Sequence, residues 1–431
     1  MITKPKGTYD VLPGESGKWE KLESTVRKVC KLYNYKEIRT PIFESSDVFH
    51  RDVNDTSDMV TKETYDFKDR SYRGITLRPE GTAGVARAYI ENKLYVDNSV
   101  TKLFYMGPMF RYERPQKGRN RQFNQFGVEA LGSDNPLLDA EVISLGASLI
   151  RALGLKDVSV KINTLGDEES RNKYREVLVK HFTKYKDCLC EDCLNRLDKN
   201  PLRILDCKVD HDKDFFKSAP KINEYLNDVS KERFNTVLEA LDNQGLKYVI
   251  DDNLVRGLDY YSDTVFELVV NIPEFGAQNV IGGGGRYNKL ISDLGGPQTP
   301  GVGMAFGVER LIMAADFAGK NLQPKEQIHA YFIALGKKAE MACLKTINVC
   351  RIGGLSCEMD YKEGSLKSQF KKADLNNALF TLILGDNELN EGKINIKDNT
   401  LDTQETINIE EVYNYILSKV NQQSHCSGCN K

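Results

Sequence analysis

The chain has 431 residues, enough for two or three domains, and its composition of 40% hydrophobic and 28% charged residues is ordinary for a globular protein. Its formal net charge is −2, so no overall field draws it toward nucleic acid or a membrane surface. A polyanionic partner must therefore meet a local basic patch.

The beginning of the chain lacks the apolar core of a signal peptide, and no run of about 18 apolar residues predicts a membrane helix. The 10 cysteines are too few for a disulfide scaffold in a chain of this length. These features predict a cytoplasmic protein with reduced thiols and no membrane segment.

The first part of the chain shows both helix and strand patterns. Apolar residues recur at helical spacing over residues 15–33, with Trp19 on the predicted buried face. The segment GITLRPEGTAGVARAYIEN (74–92) predicts a strand, a turn and a helix, with Thr82 as a cap near the helix start. Later patterns predict two strands around the polar loop PQKGRN, followed by a helix: 103–114, 121–131 and 135–153.

Composition changes twice along the chain. Residues 165–245 are rich in lysine and acidic residues and carry a cysteine cluster, which predicts a module inserted into the first domain, 1–322. A polar linker, 320–327, ends that domain. Strand and helix patterns alternate after it, so residues 327–431 are predicted to form a separate small α/β domain.

The segment FRYERPQKGRNRQFNQFGVE (110–129) concentrates positive charge at its start and ends on a carboxylate. Side chains alternate between the two faces of a strand. A hairpin would therefore let Arg111, Gln125 and Glu129 line one concave surface. From spacing alone, a solvated basic loop explains the charge equally well.

Three further arginines lie in apolar or glycine-rich surroundings: Arg256, Arg286 and Arg310. An arginine in such surroundings is seldom left unpaired, so each is predicted to meet an anionic ligand or an internal acid such as Glu129, Glu267 or Glu309. The run GGGG (282–285) allows close approach of a backbone, yet it matches neither the P-loop nor the dinucleotide fingerprint.

Taken in order, these segments resemble the class II aminoacyl-tRNA synthetases, and the histidyl-tRNA synthetase family in particular. The resemblance covers nearly the whole chain and is carried by KGTYDVLP, TPIFE, TLRPEGTA, GPMFRYERPQKGRNRQFNQFGVE, LVRGLDYYSDTVFE, IGGGGRY and GVGMAFGVERL. It implies an α+β fold: an antiparallel catalytic sheet flanked by helices, an inserted module, and a C-terminal α/β domain that binds the anticodon.

The resemblance also implies the activity, a ligase that attaches L-histidine to tRNA(His) with ATP. Histidine forms a histidyl-adenylate with release of diphosphate, and transfer to tRNA then releases AMP. The implied cofactor set is ATP with Mg²⁺, and the implied assembly is a cytoplasmic homodimer.

Site roles follow from the resemblance, residue by residue. Catalysis is implied for Arg111 and Arg256. ATP binding is implied for Arg111, Glu113 and Arg310. Histidine binding is implied for Glu80, Gly81, Thr82, Arg111, Gln125, Glu129, Arg256, Tyr260 and Tyr261. Contact with the acceptor end of tRNA is implied for Gln116, Lys117 and Arg119.

Physical chemistry supports the proposed histidine pocket. A neutral imidazole offers one N–H donor and one bare nitrogen acceptor. A carboxylate such as Glu129 accepts from the first nitrogen, and a phenol such as Tyr261 donates to the second. A site built for two such hydrogen bonds rejects side chains that leave its polar groups unpaired.

Lysines at helical spacing in LKSQFKK (366–372) are candidates for contact with the anticodon stem. A solvated helix face explains the same lysines equally well.

The insert contains four cysteines, at Cys188, Cys190, Cys193 and Cys207. A Cys-x₂-Cys pair with further cysteines nearby is typical of zinc sites, although the overall spacing is not that of a standard zinc motif. Buried free thiols are the favoured interpretation, and zinc is the alternative.

Two alternatives to the synthetase stay open at this level. The first is a regulatory paralogue of the catalytic domain that serves as a subunit of the first enzyme of histidine biosynthesis. Such proteins typically lack the C-terminal domain and some site residues. The second is a non-catalytic RNA-binding module whose arginines meet only phosphates, which leaves Glu129 unexplained.

Overall fold

The computed structural model describes residues 1–50, 62–97, 99–116, 118–207, 209–256, 260–273, 279–324, 326–362 and 364–427, with side chains to residue 422. Lys117, implied above in tRNA contact, lies outside the described residues. The chain divides into two compact units, Met1–Gln323 and Pro324–Lys431.

The first helix, α1 (Pro13–Leu32), agrees with the helix predicted over 15–33. Pro13 occupies its first turn, where a missing backbone N–H costs nothing. Leu22, Val26 and Val29 are buried on one face, as the helical spacing of the apolar residues predicts.

An eight-stranded sheet forms the centre of the first unit, with strand order β1-β5-β6-β11-β10-β9-β7-β8. The inner strands pair antiparallel, and the edge pairs β1–β5 and β7–β8 are parallel. A smaller sheet has the order β2-β4-β3. The strands of this unit are β1 (Lys36–Glu37), β2 (Phe43–Ser45), β3 (Tyr65–Lys68), β4 (Gly74–Leu77), β5 (Thr101–Phe110), β6 (Gln122–Leu131), β7 (Val158–Thr164), β8 (Tyr248–Ile250), β9 (Ser262–Val270), β10 (Val280–Tyr287) and β11 (Gly301–Gly307).

Helices flank this sheet and connect its strands. Beyond α1 they are α2 (Thr82–Glu91), α3 (Pro136–Ala152), α4 (Glu168–Thr183), α5 (Glu191–Lys199), α6 (Asp214–Lys217), α7 (Asp228–Asn243), α8 (Leu290–Asp293) and α9 (Val308–Phe317). Short 3₁₀ helices span Ser46–Val48, Lys186–Cys188, Pro201–Asp206 and Ile222–Glu224. One apolar core joins α1, α3, α7 and α9 to a face of the sheet.

The opposite face of the sheet carries a second apolar core. It contains Tyr261 and Tyr287 from the sheet region together with Leu178, Phe182 and Leu197 from α4 and α5. The predicted insert therefore packs against the same side of the sheet as these two tyrosines. Helix α7, which ends the predicted insert, contributes instead to the core under the other face.

The second unit has its own five-stranded sheet, in the order β13-β12-β14-β15-β16. The strands are β12 (Ala330–Ala334), β13 (Cys357–Met359), β14 (Phe380–Leu384), β15 (Lys393–Asp398) and β16 (Thr403–Asn408). Its helices are α10 (Lys337–Ile352), α11 (Leu366–Leu375), α12 (Asp386–Asn390) and α13 (Val412–Ser427), with a 3₁₀ turn at Ile409–Glu411. The alternation of strands and helices agrees with the predicted α/β architecture.

Within the described residues, no helix has both the length and the apolar character needed to cross a membrane.

Candidate active site

A cavity of about 230 Å³ opens on the sheet face formed by β5, β6, β10 and β11. Most of the residues implied in histidine binding line it. The lining residues are Glu80, Thr82, Tyr105, Arg111, Gln125, Arg256, Tyr260, Tyr261, Gly283, Tyr287, Gly303, Met304, Ala305, Phe306 and Gly307.

Glu129 lies on β6, and its side chain is buried. It is not one of the lining residues, but it contacts two of them, Thr82 and Tyr287. Its Oε1 accepts a hydrogen bond of 2.8 Å from Oγ1 of Thr82, and its Oε2 accepts one from the hydroxyl of Tyr287. Burial raises the pKa of Glu129 to about 8, and the two hydrogen bonds only partly offset that effect. A buried carboxyl group that is easily protonated or deprotonated near neutral pH is suited to recognising an imidazole.

Tyr260 and Tyr261 form the wall beside Glu129. Their rings lie 4.9 Å apart, and Tyr260 also makes an edge contact with Tyr287 at 5.6 Å. Burial raises the pKa of Tyr261 to about 12, so its hydroxyl keeps its proton and can act as a donor. The phenol of Tyr261 therefore lines the cavity, and the carboxyl group of Glu129 lies directly behind the lining residues Thr82 and Tyr287.

Glu80 closes the N-terminus of α2. Its Oε1 accepts a hydrogen bond of 2.8 Å from the backbone N–H of Ala83, and its Oε2 accepts one from the backbone N–H of Thr82. Thr82 is predicted from the sequence as a helix cap, but Gly81 is the N-cap residue and the Glu80 carboxylate satisfies the free amides. Glu80 thus has a structural role in addition to lining the cavity.

Gln125 lines the cavity from β6. Its Oε1 is buried and has no hydrogen-bond partner among the described residues. A buried amide oxygen without a partner is costly, and a ligand with an N–H donor would remove that cost.

Arg256 projects into the cavity beside Gly283, where an added Cβ would lie 3.0 Å from its Nη1. Its Nη1 donates a hydrogen bond of 2.8 Å to Oε1 of Glu267, one of the acids considered from the sequence. Its Nε is buried and has no partner within the part of the chain that is described. One edge of the guanidinium is therefore held while another can bind an anion.

Arg111 follows the end of β5 and lines the cavity. Its Nε donates a hydrogen bond of 2.9 Å to the carbonyl oxygen of Pro79, and its guanidinium stacks on the ring of Phe123 at 5.3 Å. Glu113 lies between two arginines, 3.9 Å from Nη1 of Arg111 and 3.6 Å from Nη1 of Arg119. The carboxylate holds both cations near one another.

Arg310 lies in the first turn of α9, next to the cavity residue Gly307. Its Nη1 donates a hydrogen bond of 3.0 Å to the carbonyl oxygen of Val280. Burial lowers the pKa of Arg310, and the positive charge of Arg119 lowers it further. Arg310 and Arg119 therefore lie close enough to interact as like charges.

Arg286, which the sequence also indicates as a candidate for anion binding, has a structural role. Its side chain is fully buried and forms a bidentate pair with Asp139, with Nε 2.9 Å from Oδ1. Its Nη1 also donates to the carbonyl oxygen of Ser133 at 3.0 Å. The guanidinium is satisfied internally, so Arg286 is not part of the anion-binding group.

The polar loop between β5 and β6 is a tight turn. Gln116 and Arg119 exchange backbone hydrogen bonds of 3.1 and 2.9 Å. This contact brings Arg119 back toward Glu113 and the cavity.

The cysteine group differs from the sequence-based set. Cys190, Cys193 and Cys207 come together with Asp210, and the four ligand-type atoms lie within 4.8 Å of one another. Cys188 is exposed and is not part of this group. Asp210 is the fourth member of the group. It follows Cys207 at the same interval that separates Cys190 and Cys193.

Three residues of these sites were not predicted from the sequence: Tyr105, Tyr287 and Asp210. Tyr105 lines the cavity and packs its ring against Gly81 and Gly127, where an added Cβ would clash with the ring. The sequence contains a signal for Tyr287, because this residue directly follows the glycine run and Arg286.

A central sheet whose inner strands are antiparallel, flanked by helices and followed by a separate α/β unit, is the architecture of a class II aminoacyl-tRNA synthetase. Comparison with known proteins identifies the family. A family model described as histidyl-tRNA synthetase matches residues 7–168 and 186–311, and one described as an anticodon binding domain matches 329–419. The chain belongs to the histidyl-tRNA synthetase family.

The relatives match over nearly their whole length. A histidine–tRNA ligase of Staphylococcus haemolyticus is 49% identical over 98% of this chain and 100% of its own, and one of Bacillus subtilis is 48% identical over 97% and 99%. The crystal structure of apo S. aureus histidyl-tRNA synthetase is 41% identical, has a TM-score of 0.83 and covers 96% of this chain and 100% of that chain.

Proposed function

We propose that this chain attaches L-histidine to tRNA(His) at the expense of ATP, through a histidyl-adenylate. The observation that carries the proposal is the placement of Glu129 and Tyr261 at one cavity, where Tyr261 lines the cavity and Glu129 is bonded to the lining residues Thr82 and Tyr287. Arg111 and Arg256 also line this cavity, and Arg310 lies beside it. The first pair fits an imidazole, and the arginines fit a triphosphate.

Histidine selection rests on the two hydrogen-bonding groups. The carboxyl group of Glu129 accepts from one imidazole nitrogen, and the hydroxyl of Tyr261 donates to the other. Tyr260 packs against Tyr261 and closes the wall. A side chain without both ring nitrogens leaves a buried polar group unpaired, which in comparable sites costs about 10⁴-fold or more in specificity.

The amino group of histidine is held at the opposite side of the cavity. Gln125 offers its unpartnered Oε1, and Glu80 offers the remaining lone pairs of its carboxylate. Gly81 and Thr82 position Glu80 at the start of α2. An ammonium group has three N–H donors and suits this set of acceptors.

In the activation step, a carboxylate oxygen of histidine attacks the α-phosphorus of ATP. The new P–O bond forms as the bond to diphosphate breaks, and negative charge grows on the phosphoryl oxygens. Arg111 and Arg256 stabilise that charge, Arg310 binds the distal phosphates, and Glu113 holds Arg111 in place. Mg²⁺ bound together with ATP would supply positive charge that offsets the charge of the phosphates.

In the transfer step, the terminal adenosine hydroxyl of tRNA attacks the carbonyl carbon of the adenylate, and AMP leaves. Gln116, Lys117 and Arg119 contact the acceptor end, and residues 165–245 form the inserted module that reaches toward the acceptor arm. Residues 327–431 bind the anticodon stem, with Lys367 and Lys371 on the exposed side of α11.

The enzyme is proposed to act as a cytoplasmic homodimer. The segment TPIFE, which resembles the first class II motif, is the candidate dimer contact. The family's role in protein synthesis supports the location.

Amino-acid-dependent exchange of labelled pyrophosphate into ATP, without tRNA, tests the activation step. Histidine is expected to support exchange, and the other amino acids are not. Charging of a tRNA(His) transcript then tests transfer. Exchange with another amino acid, or exchange that does not depend on an amino acid, would contradict the proposal.

The regulatory paralogue is the main alternative. It predicts neither exchange nor charging, whatever the amino acid. The match of residues 329–419 to an anticodon binding domain and the presence of all the implied site residues favour the ligase.

A further inference from the structure

The inserted module contains two pairs of ligand-type residues with the same spacing. Cys190 and Cys193 are separated by two residues, and Cys207 and Asp210 are separated by two residues. Paired Cys-x₂-Cys units are typical of structural zinc sites, and a carboxylate oxygen is an accepted fourth ligand. The second pair is easily overlooked because one of its members is not a cysteine.

The fold brings the two pairs together. Cys190 precedes α5 and Cys193 lies in its first turn, while Cys207 follows the 3₁₀ helix Pro201–Asp206. The Sγ atoms of Cys190 and Cys207 lie 3.6 Å apart, and all four ligand-type atoms lie within 4.8 Å of one another. A zinc–sulfur bond of about 2.3 Å sets sulfur atoms about 3.8 Å apart in a tetrahedron, so the observed spacing fits one ion.

Burial and surrounding contacts also fit a metal site. Cys193, Cys207 and Asp210 are buried, and Cys190 is half-buried. The backbone N–H of Asp210 points to Sγ of Cys207 at 3.3 Å, and the backbone N–H of Cys190 donates to Oδ2 of Asp210 at 3.0 Å. Such amide contacts orient ligands and offset the charge of thiolates.

The buried carboxylate of Asp210 lies among three thiols. Lys213 supplies one positive charge on one side, with Nζ 2.8 Å from Oδ1 of Asp210. The other side of the carboxylate faces sulfur atoms. Three thiolates and one carboxylate carry four negative charges, which a divalent ion and the neighbouring lysine largely balance.

We propose that Cys190, Cys193, Cys207 and Asp210 bind one Zn²⁺ ion. The ion links the start of α5 to the turn after the 3₁₀ helix. In the proposed function, it thereby stabilises the surface of the insert that faces tRNA. All four positions are filled by protein, so the site is structural rather than catalytic. Zinc binding at these four residues does not depend on the proposed reaction.

The test measures metal in the full-length chain, purified under reducing conditions from zinc-containing medium. Mass spectrometry of the metals is expected to find about one zinc per chain. Cys193→Ser and Cys207→Ser are expected to lose it, and Cys188→Ser, which alters an exposed cysteine outside the group, is expected to keep it. Lys213→Ala is expected to lower zinc affinity about 10- to 100-fold, as loss of a neighbouring partner typically does.

A second measurement uses only the unaltered chain, so it does not depend on whether a variant folds. The chelator-treated chain is titrated with Co²⁺, and a visible spectrum of tetrahedral thiolate ligation that Zn²⁺ displaces is expected. Absence of zinc together with absence of that spectrum would overturn the proposal. Equal zinc in Cys193→Ser and the unaltered chain would overturn it too, as would a Cys190–Cys207 disulfide in the purified chain in place of a metal.

Discussion

The hydroxyl of Tyr287 donates a hydrogen bond to Oε2 of Glu129, although the two residues are 158 positions apart in the chain. Glu129 lies on β6 and Tyr287 on β10, and β11 runs between those strands. The two side chains meet above Gly303, which is paired with Glu129 and has no side chain to separate them. The position of the carboxyl group proposed to select histidine therefore depends on Tyr287 and Gly303 as well as on Glu129.

Tyr287→Phe is expected to raise the KM for histidine about 10- to 100-fold, because leaving a buried polar group such as the Glu129 carboxyl without its partner costs about 1–3 kcal/mol. The KM for ATP is expected to change little. The measurement is pyrophosphate exchange with each substrate varied in turn.

Tyr174→Phe is the matched control for that change. It removes a buried hydroxyl that donates at 2.8 Å to the carbonyl oxygen of Pro220, away from the cavity. If the two variants raise the KM for histidine equally, Tyr287 acts through general stability and not through Glu129.

Gly303→Ala is expected to damage histidine use severely. A Cβ at this position would overlap Oε2 of Glu129, so the carboxylate must move. A displacement of about 1 Å in a positioned group costs about 100-fold in kcat/KM. The measurement is kcat/KM for histidine in pyrophosphate exchange.

Gly14→Ala controls for the added methyl group, since no described atom outside its own helix backbone and its chain neighbours lies within 4 Å of where its Cβ would stand. Its kinetics should equal those of the unaltered chain. Normal histidine kinetics in Gly303→Ala would show that the carboxylate does not need its observed position.

Glu129 should make the stability of the ligand-free protein depend on pH. Its folded pKa of about 8 lies above the ordinary value of 4.5. Between those values the folded chain holds a proton that the unfolded chain has lost, so stability falls as pH rises through this window. Glu129→Gln removes this effect, and its Tm relative to the unaltered chain is expected to rise by about 2 °C or more from pH 5 to pH 8.

Glu20→Gln, which changes an exposed glutamate on α1, should show no such trend. Thermal unfolding without ligands measures both variants. A constant Tm difference between Glu129→Gln and the unaltered chain across this pH range would mean that Glu129 is ionised throughout.

Arg256→Ala is expected to slow pyrophosphate exchange by about 10²–10³, the usual cost of removing one group that stabilises transition-state charge. Arg256→Lys should recover only part of the rate, because a lysine cannot reproduce the planar fork that binds both Glu267 and an anion. Arg39→Ala, which changes an exposed arginine, is the control. Full exchange activity in Arg256→Lys would show that a positive charge at this position is sufficient and that the shape of the guanidinium is not required.

Much of the fold was accessible from the sequence because local patterns determine it. Alternating polarity predicted the strand at 121–131, and helical spacing predicted the helix at 15–33. The family resemblance, carried by ordered motifs, predicted the class II fold. These features need only short-range periodicity or motif order, both of which a single chain displays.

The features that the sequence did not predict depend on contacts between residues far apart in the chain. Nothing near Arg286 in the sequence identifies Asp139, its partner 147 residues away. Glu80 looked like a ligand-binding acid, and only the structure reveals that its carboxylate also holds the amides of Thr82 and Ala83. The spacing of the cysteines gives no indication that a carboxylate, Asp210, occupies the fourth position.

The central claim is that histidine and ATP are bound by separate groups of residues at the cavity. The most direct test compares Glu129→Ala and Arg310→Ala in pyrophosphate exchange, with histidine and ATP varied separately. Glu129→Ala is expected to raise the KM for histidine at least about 100-fold and leave the KM for ATP nearly unchanged. Arg310→Ala is expected to do the reverse, raising the KM for ATP. Equal losses for both substrates in both variants would contradict the division of the cavity into an imidazole pocket and a phosphate-binding rim.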